Sequence, residues 1–74
     1  MDQLASLRIF ARVVELGSFS KTAESLQLSQ STVTKNVAWL EAHVGARLVN
    51  RNTRGANPSE LGIAYYEKCK AILE

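Results

Sequence analysis

SFSKTAESLQLSQSTVTKNVAWLE, residues 18–41, contains two short amphipathic segments with almost nothing between them. In the second segment Val33, Val37, Leu40 and Val44 recur at helical spacing. At about 100° per residue they gather within about 40° of one another on a helical wheel. Ser31, Thr34, Lys35 and Ala38 gather on the opposite side. One face is therefore apolar, and the other is small, polar and cationic. The first segment reads as a helix capped by Ser20 and running to about Leu26, with Ala23 and Leu26 inward and Phe19 as a core plug before the cap. Gln27 and Leu28 form the joint, Leu28 filling the wedge between the helices, and Ser29 caps the next helix. So short a joint forces a steep crossing, the geometry of a helix-turn-helix.

Working outward, a helix is expected from about Asp2 to Leu16. Leu7, Phe10, Ala11 and Val14 form its stripe, widened by Leu4, Ile9 and Val13, and Gly17 ends it. Beyond Gly45, the runs ARLVN and GAN flank RNTRG, which reads as a small β-hairpin with a basic tip. Pro58 shortens the second strand because it cannot donate to a ladder. Ser59 caps a fourth helix with Glu60 at its positive end. That helix has two apolar sides, Leu61, Tyr65, Cys69 and Ile72 on one, Ile63, Tyr66 and Leu73 on another, so it needs two partners. The fold class expected is mainly α: a winged helix-turn-helix with a three-helix core and two-stranded wing (residues 1–58), then the start of a long linker helix (residues 59–74).

Composition narrows the function. Seventy-four residues make one domain near the lower size limit for folding by packing alone. A single cysteine excludes an internal disulfide, and no Cys/His cluster has metal-ligand spacing, so neither metal nor cofactor is expected. A reducing cytoplasm suits such a chain, and no apolar run approaches the roughly 20 residues that span a bilayer. Net charge is +2, but residues 17–55 hold Lys21, Lys35, Arg47, Arg51 and Arg54 against Glu24 and Glu41. Positive charge thus gathers in the middle of the chain, as phosphate binding requires.

The runs LRIFARVVELGSFSKTAESLQLSQSTVTKNVAWLEAHVGARLVNR and TRGANPSELG resemble the N-terminal domain of the LysR-type bacterial transcriptional regulators, and the resemblance covers the whole chain. The sequence departs from the family pattern at Ser31 (usually proline), Lys35 (more often arginine), Val49 (more often phenylalanine), Trp39 (often charged), and Ala56 and Pro58 (usually aliphatic). The resemblance implies that the third helix enters the major groove with the wing on the backbone or minor groove. It also implies a linker helix pairing two subunits on an interrupted inverted repeat, and a C-terminal domain, outside this chain, that binds a small-molecule effector.

The side chains agree with that expectation. A helix entering the major groove needs short side chains where its backbone comes closest and longer donors where it reaches base edges. Ser31, Thr34 and Ala38 meet the first need, Gln30 and Lys35 the second. Gln30 suits adenine, and Lys35 suits guanine or a phosphate. Ser18, Ser20, Lys21 and Thr22 are candidate phosphate contacts, while Arg51 and Arg54 flank the wing tip and suit phosphate or a narrow minor groove. Ile63, Tyr66 and Leu73 are candidates for dimerisation.

Each has a plainer alternative. Arg51 pairing with Glu41 would merely anchor the hairpin, Ser20 and Lys21 would only cap and decorate a helix, and Arg47 is read as structural. His43 is read as a surface residue near a helix C-terminus and Cys69 as a packed thiol. Trp39 suits core or interface packing better than stacking on DNA. A winged helix used for protein contact would need an apolar patch around Ser31 and Lys35, which the sequence lacks. An enzyme would need a nucleophile beside a base, a carboxylate pair or a glycine-rich phosphate loop, and none is found.

Overall fold

The computed structural model describes residues 2–52 and 55–73. Its elements are α1 (Gln3–Leu16), α2 (Phe19–Leu26), α3 (Gln30–Val44), β1 (Val49–Asn52), β2 (Gly55–Pro58) and α4 (Glu60–Leu73). Asp2 caps α1 by accepting from the Leu4 amide, and Gly17 closes it in the left-handed conformation. Leu7, Ile9, Phe10 and Val13 are buried, placing α1 at the centre against α2, α3 and α4. Leu4, expected to widen this stripe, is exposed.

The cap of α2 is Ser18 rather than Ser20. Ser18 is extended, its Oγ accepts from the Lys21 amide at 3.1 Å, and its carbonyl accepts the Thr22 hydroxyl at 2.7 Å. This start makes Phe19 the first helical residue, and its ring is buried in the core. Ser20 Oγ instead lies 3.1 Å from Ser18 Oγ.

Gln27 then takes the left-handed conformation, a strained choice for a residue with a Cβ, and joins α2 to α3. With this turn Leu26 packs against the core, whereas Leu28 is exposed and fills no wedge. Ser29 caps α3 as expected. Val33, Val37 and Leu40 are buried, but Val44 lies outside, and the fourth inward position belongs to Asn36. Asn36 tolerates burial because both ends of its amide are satisfied. Its Oδ1 accepts from the buried Ser6 hydroxyl at 2.9 Å, and its Nδ2 donates to the Thr32 carbonyl at 2.8 Å.

The wing is antiparallel, with Val49 opposite Pro58 and Arg51 opposite Ala56. The first strand thus lies further along the chain than ARLVN suggested, and Arg51 is a strand residue rather than a flank of the tip. Three hydrogen-bond sets fix the wing on the helices. Glu41 Oε2 accepts from the Leu48 and Val49 amides at 2.8 and 3.1 Å, so this carboxylate anchors backbone rather than Arg51. The Gly17 carbonyl accepts from the Ala56 amide at 3.1 Å. At the far end Ser59 donates its amide to the Leu48 carbonyl and its hydroxyl to the Arg47 carbonyl, while its Oγ accepts from the Gly62 amide. Ser59 thereby caps α4 and ties that helix to the wing.

Only part of each apolar side of α4 packs on the domain. Cys69 is buried, and the half-buried Tyr65 meets Phe10 edge to face at 5.9 Å. Leu61 and Ile72, expected on that inward side, are exposed. Tyr66 and Leu73 are half-buried against the same core, and the Tyr66 hydroxyl donates to Glu15 at 2.9 Å. Of the three dimerisation candidates only Ile63, 53% exposed, is free of the core; the other two already pack within their own domain.

Candidate nucleic-acid interface

The face of α3 opposite its buried valines is open. Gln30, Ser31, Lys35 and Ala38 are exposed, and Thr34 is half-buried. Residues 31, 34, 35 and 38 share this face because they lie three and four apart on a helix. Ser31 Oγ is 3.4 Å from Ser29 Oγ, which itself lies 2.8 Å from Thr32 Oγ1, a chain of hydroxyls at the start of the helix. The surface has short side chains, one long amide and one ammonium, and an α-helix of about 10–12 Å diameter matches a major groove about 12 Å wide.

Beside it stands the start of α2. Ser20 and Lys21 are exposed and Ser18 is half-buried, engaged as the cap. Thr22 is a correction: its side chain is completely buried and its hydroxyl is committed to the Ser18 carbonyl, so it presents nothing to a phosphate. Arg51 reaches the same region from the wing, its guanidinium carbon 4.0 Å above the centre of the Phe19 ring. Arg54 lies outside the described residues. Ser18, Phe19, Ser20, Gln30, Arg51 and Asn52 surround an open cleft of about 250 Å³ between α2, α3 and the wing. The structure thus brings Ser18, Ser20, Gln30 and Arg51 together. The sequence reading missed Phe19 as a platform for the guanidinium and Asn52 as a wall. Only the alternation of β1, with Val49 and Arg51 on one face, hinted at the first.

Trp39 is half-buried against the core and stacks on His43, ring centres 5.1 Å apart and planes within 8°. Among the described residues no group of three His, Cys, Asp or Glu could hold a metal ion, and no helix is long and apolar enough to cross a membrane.

A three-helix core with a capped two-residue joint, an exposed third helix and a hairpin pinned beside it is a winged helix-turn-helix. The chain belongs to the lysR family of bacterial regulatory helix-turn-helix proteins, whose pattern its residues 4–63 match. It corresponds to that family's DNA-binding domain and groups with transcriptional regulators rather than enzymes. Over all 74 residues it is 40% identical to an HTH-type transcriptional repressor of Pseudomonas aeruginosa, of which it spans 23%. It is 40% identical over 99% of its length to the transcriptional activator AaeR of Escherichia coli, spanning 24% of that protein. The chain therefore covers about a quarter of the length of these curated relatives. Among solved structures it is similar to the CbnR DNA-binding domain in complex with DNA (TM-score 0.93, 33% identity, 99% of this chain and 83% of that one). It is similar also to the BenM DNA-binding domain on catB site 1 DNA (TM-score 0.92, 32% identity, 99% of this chain and 80% of that one).

Proposed function

We propose that this chain binds double-stranded DNA with sequence preference, inserting α3 in the major groove and laying the wing (about residues 46–58) on the backbone or minor groove. Gln30, Ser31, Thr34 and Lys35 read base edges; Ser18, Ser20, Lys21, Arg51 and Arg54 hold backbone or groove walls. The observation that carries this reading is the exposed, small-and-polar face of α3, which the domain's own core leaves uncovered. The whole regulator acts in the cytoplasm as a dimer on an interrupted inverted repeat, residues 59–74 beginning the linker helix that joins two copies. A C-terminal domain beyond residue 74 couples a small-molecule effector to transcription. The exposed Leu61, Ile63 and Ile72 of α4 support the dimer, since they leave apolar surface for a second copy. Protein symmetry then mirrors operator symmetry.

The test begins with selection of bound sites from random DNA by the full chain. The selected site and a scrambled version are then titrated at two salt concentrations. A preference for the selected site, with affinity falling steeply as salt rises, is expected. Equal affinities for the two sequences end the proposal.

A further inference from the structure

The contact between Arg51 and Phe19 spans the joint between wing and helices, and its surroundings fix it in place. Val49 is buried and Arg51, two residues on, points to the same face of the hairpin. Opposite Arg51 stands the buried Ala56, whose methyl leaves the long side chain free to lie along the sheet toward α2. Gly55, next along β2, has φ +128, and a Cβ there would come 2.6 Å from the Gly17 carbonyl oxygen. With Ala56 also bonded to that carbonyl, the hairpin is clamped to the α1–α2 turn. Phe19, two residues past Gly17, is held by the core, so its ring is a fixed floor for the guanidinium.

This contact has a chemical consequence. The contact engages the cation through a π face and not through an oxygen acceptor, so the planar fork can still match two phosphate oxygens. Among the described residues no carboxylate pairs with Arg51, and none lines the cleft it faces. Ser20, exposed on the neighbouring wall, adds a hydroxyl donor. With water occupying about 30 Å³ in the liquid, a volume of about 250 Å³ admits a phosphate group and bridging waters.

We propose that this cleft seats one DNA backbone phosphate, taken by Arg51 and Ser20, and that Phe19 is the positioning residue that holds the Arg51 guanidinium in place for it. The inference rests on the DNA-binding reading above and assigns one contact within it: Arg51 sets register on the backbone and reads no base.

The experiment is a double-mutant cycle in the full chain on its selected site. Phe19→Leu keeps apolar volume and removes the π face; Arg51→Gln removes the charge. Phe19→Leu is expected to weaken binding about two- to five-fold when Arg51 is present, the size of an exposed cation–π contact, and to do nothing in the Arg51→Gln background. Phe19→Tyr restores wild-type affinity. Arg51→Gln lowers the slope of log K against log salt by about 0.9, one phosphate, and weakens selected and scrambled DNA alike. Single methylphosphonate replacements in the site identify the phosphate: one position is felt by wild type and ignored by Arg51→Gln. Equal losses from Phe19→Leu in both backgrounds overturn the positioning role, and an unchanged salt slope overturns the phosphate seat. Should thermal melts show Phe19→Leu unfolded, Arg51→Lys decides, since it keeps charge without the planar fork. It is expected to lose at least half of what Arg51→Gln loses, and wild-type affinity overturns the proposal. Loss of sequence preference with the salt effects intact would sink the base-reading proposal and leave this one standing.

Discussion

Gly62 is the residue whose replacement most sharply tests how α4 is joined to the wing. It lies in the first turn of α4, buried, and a Cβ there would sit 2.0 Å from the Leu48 carbonyl oxygen, 3.0 Å from that carbonyl carbon and 3.3 Å from Pro58 Cβ. The two nearest atoms are backbone and cannot rotate away. On an isolated helix Gly→Ala stabilises by about 1 kcal/mol. Here the added methyl must push α4 from Leu48, the residue before β1, and the carbonyl it displaces is the one accepting from the Ser59 amide at 2.9 Å. Losing that bond costs about 1 kcal/mol, disturbing the Ser59 cap about another 1, and overpacking about 1–3. The clash outweighs the propensity gain, and Gly62→Ala is expected to destabilise the fold by about 2–4 kcal/mol. Urea denaturation followed by circular dichroism measures it, with the midpoint lowered at unchanged slope. Stability equal to or above wild type would refute the reasoning, because it would mean that α4 and the Leu48 backbone do not approach this closely.

Other perturbations separate the roles assigned above. Lys35→Ala is expected to relax base choice at one or two operator positions, with about 1–3 kcal/mol of discrimination lost there, while Arg51→Ala weakens all sequences alike; binding to a panel of single-base variants distinguishes the two. Ser6→Ala removes the donor to the buried Asn36 Oδ1 and should cost about 1–3 kcal/mol in a denaturant titration, a change below about 0.5 kcal/mol showing that water substitutes. Burial pushes the Cys69 thiol above its ordinary 9.0, and Tyr65 is raised above 10.0 by burial first and by Cys69 second. Both are neutral in either state at pH 7, so their contribution is full there. It is lost as pH climbs past about 9, where the unfolded chain releases the thiol proton before the folded one. The urea midpoint should fall between pH 7 and pH 10, and fall less in Cys69→Ala; identical falls in the two would remove Cys69 from the account.

What was legible in the sequence is what short-range physics decides. The valines of α3 declare a period of 3.6, Ser29 stands at the position whose oxygen reaches the amide three residues on, and Gly17 and Gly45 take left-handed conformations that end helices. The misses arise where two local choices were nearly equal and a distant partner decided. Ser18 and Ser20 are both competent caps two residues apart; burial of Phe19 selects Ser18. The hairpin could pair in more than one register, and Glu41 with Gly17 holds the one that carries Arg51 into the strand. Nothing local marks Asn36 as an inward residue, because its partner, Ser6, is thirty positions away. On α4 the period marks two apolar sides but not which of them the domain covers.

Within the candidate interface the same division separates reading from holding. The residues proposed to read bases belong to α3 alone, so their common face follows from helical geometry and needs no tertiary information. Of those proposed to hold the backbone, Ser18 and Ser20 stand at the start of α2 and Arg51 on the wing, more than thirty residues apart, and they meet only because Gly55 can approach the Gly17 carbonyl and Glu41 can seize the Leu48 and Val49 amides. Substitutions on the face of α3 should therefore alter which sequence is chosen while leaving the fold intact. Substitutions at the joints, Gly55, Gly62 or Glu41, should lower stability and the affinity for every sequence together, since they move the phosphate-facing side chains away from the base-reading face.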